Sequence, residues 1–100
     1  MNILVAPNSM KGSLTAFDFA KKVERAFNDV APTFFNIRKF PIADGGDETA
    51  SILINALQLN EVEVTVSDPL GRSIVAKYGY ANGTAVIEMA NASGLKLLSF

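Results

Sequence analysis

Residues 2–30 read NILVAPNSMKGSLTAFDFAKKVERAFNDV, and the order of patterns in that stretch decides the fold class. Ile3-Leu4-Val5-Ala6 is a short apolar run closed by Pro7, as suits a strand buried on both faces. A polar loop, Asn8-Ser9-Met10-Lys11-Gly12-Ser13, follows it. Thr15 then opens a helical pattern, and Asp18 three residues on completes an approximate capping box. Phe19, Val23, Phe27 and Val30 recur at helical spacing, with Lys21, Lys22, Glu24 and Arg25 on the other side, until Pro32 ends the run. Strand, loop and helix in that order make one βα unit.

A second unit follows. Phe34 to Phe40 reads as a strand, leading through Pro41 into Ala43-Asp44-Gly45-Gly46. A helix is predicted from about Asp47 to Leu57, with Ala50, Leu53, Ile54 and Leu57 inward. Two successive βα units imply parallel strands joined by a right-handed crossover. Near Asn60 the character changes. Val62, Val64 and Val66 alternate with Glu61, Glu63 and Thr65, a half-exposed strand. Asp68-Pro69-Leu70-Gly71 has the residues of a type I turn. Ile74, Ala76 and Tyr78 carry the next strand, and Asn82-Gly83 is a two-residue hairpin signal before a strand over Thr84–Met89. The reading is an α/β chain, with βαβα over 1–60 and an antiparallel meander over 61–100 that starts a second domain.

Composition narrows the chemistry. Of 100 residues, 49% are hydrophobic and 19% charged, a globular balance. Nine basic against ten acidic residues give a net charge of -1, which offers no footprint for nucleic acid or an anionic membrane. With no cysteine and no histidine, thiolate nucleophiles, Zn–thiolate sites and imidazole acid/base work are excluded. Carboxylates, lysine, hydroxyls and backbone amides remain, a palette that suits a hard cation such as Mg²⁺. The longest apolar run is far below the ~20 residues of a membrane span, and no signal-like segment opens the chain, so a cytoplasmic protein is expected.

Ligands in open parallel sheets bind outside the carboxyl ends of the strands, where loops 7–13 and 41–46 lie. Each loop feeds a helix N-terminus, whose N–H groups and dipole favour an anion. Lys11 adds a point charge, and Ser9 and Ser13 add hydroxyl donors. The first loop has neither the G-x-x-x-x-G-K-[ST] spacing nor G-x-G-x-x-G, and the same residues also suit a plain turn at Gly12 with a helix cap. At the second loop, two glycines allow close backbone approach, and the Asp44 carboxylate can accept from a substrate hydroxyl or hold Mg²⁺ indirectly; an Asp cap at a tight turn is the plainer reading. Asp47 and Glu48 fit the dipole of the helix they open. Glu88 is read as facing solvent by strand alternation, and Met10, Met89 and the phenylalanines as packing.

Four segments in order resemble the glycerate kinase family, which phosphorylates D-glycerate with ATP. They are Ala6-Pro7-Asn8-Ser9-Met10-Lys11-Gly12-Ser13-Leu14, Pro41-Ile42-Ala43-Asp44-Gly45-Gly46, Asp68-Pro69-Leu70-Gly71-Arg72, and Ala85 through Leu95. The resemblance covers nearly the whole chain and implies an N-terminal fragment: the opening of a Rossmann-like α/β domain, then the first hairpins of a second α/β domain. It departs from the family at three places. Asn8 stands where aspartate is usual, Met10 replaces phenylalanine, and Asp47-Glu48-Thr49 replaces Glu-Gly-Thr.

The resemblance implies a transferase that moves the ATP γ-phosphate to D-glycerate with Mg²⁺, favouring 2-phosphoglycerate. Lys11 and Asp44 are then the catalytic candidates, and Ser9, Gly12, Ser13, Gly45 and Gly46 the substrate-binding ones, with no direct metal ligand. Half a cleft cannot position two substrates, so the 100 residues alone are expected to be inactive and open to self-association. The second reading is a free-standing α/β module that binds a ligand or partner without catalysis.

Overall fold

A computed structural model describes residues 1–98. The order is β1 (Asn2–Val5), α1 (Ala16–Val30), β2 (Asn36–Lys39), α2 (Thr49–Ala56), β3 (Asn60–Ser67), β4 (Ser73–Ala81), β5 (Thr84–Val86) and α3 (Ala90–Ser93), followed by a 3₁₀ turn at Leu95–Leu97. The chain is mixed α/β, with one parallel two-stranded sheet and one antiparallel three-stranded sheet. Two compact units divide at Asp44 and Gly45.

In the first unit β1 and β2 run parallel, with Ile3 opposite Ile37 and Val5 opposite Lys39. Thr15 caps α1 as its position suggested: it is extended (φ -69, ψ 160) and its Oγ1 accepts from Asp18 N at 3.0 Å. Ala16 and Ala20 are the buried residues of α1. Their small side chains let the helix approach the sheet. At the far end the Phe27 and Phe35 rings meet edge to face at 4.9 Å, and Lys39 Nζ reaches Glu24 Oε1 at 2.8 Å. Val30 was expected inside, yet it is 81% exposed. A 15-residue helix is roughly 22 Å long against about 13 Å for a four-residue strand, so its last turn overhangs the sheet. Phe40 lies past the end of β2 and is also exposed.

In the second unit β3, β4 and β5 form a meander, registered from Asn60 opposite Tyr80 to Ser67 opposite Ser73. Asn82 (φ 51) and Gly83 (φ 77) both take the left-handed conformation that a two-residue hairpin turn demands. The β3–β4 turn is clamped by Asp68. Its Oδ1 accepts from the N–H groups of Leu70 and Arg72, and its Oδ2 pairs with Arg72 Nε at 2.5 Å. Arg72 Nη2 then donates to the Leu97 carbonyl at 2.7 Å, tying this turn to the 3₁₀ segment.

Helix α2 packs on β4 and β5 and so belongs to the compact unit that begins at Gly45. The contact needs a glycine, because a Cβ on Gly79 would collide with the Ile54 side chain. α2 starts at Thr49, so Asp47 and Glu48 precede it rather than fill its first turn. Its buried residues are Ala50 and Ile52, while Leu57, expected inward, is the C-cap and exposed. The helix closes in a Schellman arrangement: Gln58 (φ 53) is left-handed and Leu59 N donates to Ile54 O at 2.9 Å.

Strand β5 stops at Val86 instead of running to Met89. The chain turns there into α3, which leaves Met89 outside the sheet and 80% exposed. Glu88, expected to face solvent, turns inward and is half-buried.

Candidate functional site

The first loop is bound to the second at its base. Phe40 N donates to Val5 O at 2.7 Å, continuing the parallel ladder, and Ile42 N donates to Pro7 O at 2.8 Å. The Asn8 side chain completes the seam, its Nδ2 donating to Ile42 O at 2.8 Å. An aspartate at this position has no such donor. The substitution therefore has a local structural role: the amide joins loop 7–13 to loop 41–44.

Beyond Asn8 the loop folds back on itself. Met10 N donates to Leu14 O at 2.8 Å, and Ser13 N and Leu14 N donate to Met10 O at 2.9 and 3.1 Å. Lys11, Gly12 and Ser13 form the exposed tip of this turn, with Gly12 at φ 74. A non-glycine residue at that φ pays for its Cβ sterically, so the glycine serves the turn geometry. Met10 is 45% exposed here instead of packed. The sequence-predicted residues Ser9, Lys11, Gly12, Ser13 and Asp44 thus belong to two hydrogen-bonded loops of the first unit. Ser9 is half-buried, and Asp44 is exposed.

Gly45 and Gly46 belong to the second unit, where they line a cavity of about 340 Å³ together with Asp47, Thr49, Glu88 and Met89. Gly45 has φ 90, a conformation only glycine adopts without strain. Asp47 approaches Lys96 at 3.8 Å, an exposed pair of small worth. Thr49 Oγ1 is buried without a hydrogen-bond partner among the described residues.

Sequence reasoning missed Glu88. Its Oε1 accepts from Ala50 N at 3.0 Å and its Oε2 from Asn91 Nδ2 at 3.1 Å. The one signal available was a charged residue inside an apolar run, and strand alternation gave it a simpler reading.

Among the described residues no group of three or more carboxylates gathers that could hold a metal ion. None of the steps below is assigned to a metal. Lys11, the hydroxyls of Ser9 and Ser13 and the Gly12 backbone share one loop, while the N–H groups of Met10, Ser13 and Leu14 are taken up by carbonyls of the turn itself.

The profile of the glycerate kinase family matches residues 3–100. The chain belongs to the glycerate kinase family. It is 44% identical over 100 residues to a glycerate kinase of Bacillus subtilis (strain 168), and 40% identical over 100 residues to a glycerate 2-kinase of Escherichia coli (strain K12). Each match covers 98% of this chain and 26% of the relative. A crystal structure assigned to glycerate kinase 2 of Salmonella typhimurium LT2 superposes with a TM-score of 0.75 at 39% identity, covering 99% of this chain and 27% of that one. The chain therefore spans about a quarter of the length of the glycerate kinases it matches. No described helix is long and apolar enough to cross a membrane.

Proposed function

We propose that the full-length protein is a cytoplasmic kinase that transfers the γ-phosphoryl group of ATP to a hydroxyl of D-glycerate, with 2-phosphoglycerate as the favoured product. The observation that carries this reading is family membership over residues 3–100. The name of the E. coli relative, a glycerate 2-kinase, supports position 2.

In this reading a P–O bond forms from the glycerate hydroxyl to the γ-phosphorus, the bond to ADP breaks, and the hydroxyl proton leaves to a base. Catalysis of such a transfer is positioning plus charge stabilisation, which needs neither histidine nor cysteine. Lys11, at the loop tip, neutralises anionic oxygen, and Ser9, Ser13 and the Gly12 N–H donate hydrogen bonds to it. Asp44 accepts from the glycerate hydroxyl and orients it. Gly45 and Gly46 let substrate approach the backbone. Mg²⁺ accompanying ATP would supply neutralisation of the phosphoryl charge, and no described side chain is assigned to hold it.

The test is ADP release by the full-length protein with ATP, Mg²⁺ and D-glycerate. Turnover that requires D-glycerate supports the reading, and equal rates with and without it remove it. The 100 residues alone give no turnover in this reading, because two substrates cannot be positioned by a quarter of the fold. Steady ADP production from them would overturn that part, and their oligomeric state in solution tests the expected self-association.

A further inference from the structure

We propose that Glu88 is a positioning residue for the Gly45–Thr49 segment, supplying across the fold the cap that α2 lacks locally. The residue at the N-cap position, Glu48, is left-handed at φ 74 and its side chain makes no capping bond. The first N–H groups of a helix have no partner within it, so the donor at Ala50 needs an acceptor from elsewhere. Glu88 provides one from the segment after β5, with Oε1 3.0 Å from Ala50 N. The carboxylate is itself held by Asn91 Nδ2 on the other oxygen at 3.1 Å, so its orientation is fixed from two sides. A negative charge at the positive end of the helix dipole makes this a charge-assisted contact in a half-buried place.

The segment held in this way begins with two glycines. Gly45 and Gly46 are adjacent, Gly45 sits at φ 90, and the Thr49 N to Gly46 O bond is long at 3.3 Å. The Asp47–Lys96 pair is exposed and 3.8 Å apart, too weak to fix a loop. Glu88 adds a charge-assisted tether at 3.0 Å, and it lines the same cavity as both glycines. The kinetic part of this inference rests on the glycerate kinase reading; the structural part does not.

The experiment uses the full-length protein and two readouts, hydrogen exchange of the peptide covering residues 45–56 and steady-state kinetics with D-glycerate and ATP. Glu88→Ala should speed exchange there by about tenfold or more and lower kcat by more than about tenfold. Glu88→Gln keeps an oxygen for Ala50 N and should restore most of both. Exchange unchanged in Glu88→Ala overturns the proposal, as does faster exchange with kcat intact. Glu88→Gln with native exchange but the alanine variant's kcat also overturns it, since the carboxylate would then act on substrate itself. If Glu88→Ala does not fold, Glu88→Asp, one methylene shorter, must show the same faster exchange or the proposal fails. If the wild type does not phosphorylate glycerate, the kinase reading falls and exchange alone decides the role of Glu88.

Discussion

The Asn8 side-chain amide donates to the Ile42 carbonyl at 2.8 Å, closing the seam between the two loops that follow the parallel strands. The bond is specific to an amide. Asn8→Asp in the full-length protein puts a carboxylate oxygen against that carbonyl, and should cost about 1–2 kcal/mol, more than Asn8→Ala, which merely removes the donor. Urea unfolding of the two variants makes the comparison. Equal stability for all three proteins would show that Asn8 contributes nothing at this position.

Glu48 stands at φ 74, in the left-handed region that favours glycine. An L-residue in that conformation is strained by about 1–2 kcal/mol, part of which glycine gives back through its freer unfolded chain. The carbonyl of Glu48 accepts from Ile52 N and Ser51 Oγ, and a glycine keeps both bonds. Glu48→Gly should therefore raise stability by about 1 kcal/mol, read as a higher urea midpoint at unchanged slope.

Asp68 gives the β3–β4 turn a pH dependence. Burial opposes its ionisation, but the N–H groups of Arg72 and Leu70 and the Arg72 guanidinium outweigh burial and hold its carboxyl below the usual aspartate range. A depressed folded pKa contributes stability above the unfolded value and loses it as pH falls through the folded one. Stability should thus decline from about pH 5 downward, and Asp68→Asn should flatten that decline while lowering stability at neutral pH. Unfolding midpoints across the acid range measure both. An unchanged slope for the variant would remove Asp68 as its source.

Lys11→Ala tests the anion-binding role proposed for loop 7–13. Lys11→Ala in the full-length enzyme should lower kcat/KM by more than about tenfold with little change in stability, because the side chain stands at a solvent-facing tip. An unchanged rate takes Lys11 out of the site.

Local signals made much of this fold readable. Thr15 and Asp18 marked the start of α1 three residues apart, and Asn82-Gly83 marked a turn whose geometry few other pairs accept. The two loops after the parallel strands were readable because each sits between an apolar run and a helical pattern. What escaped was set by contacts distant in sequence. α2 joins the antiparallel sheet through the close approach of Ile54 to Gly79, which no periodicity encodes. Its start was misplaced because Glu48 turns left-handed, a conformation that its side chain disfavours. Glu88 was assigned to solvent because alternation assumes the strand continues, whereas the ladder ends at Val86 and the carboxylate is drawn to Ala50 N. The strand over Phe34 to Phe40 shortened to Asn36–Lys39, with Phe34 and Phe35 in edge-to-face contact instead of extending the ladder.

The central claim is phosphoryl transfer to D-glycerate, and ³¹P NMR of the products formed by the full-length protein tests it most directly. The account predicts that ATP and D-glycerate yield ADP and the phosphomonoester resonance of 2-phosphoglycerate in equal amounts. ATP consumed with only inorganic phosphate released, or no phosphomonoester formed at all, would contradict it.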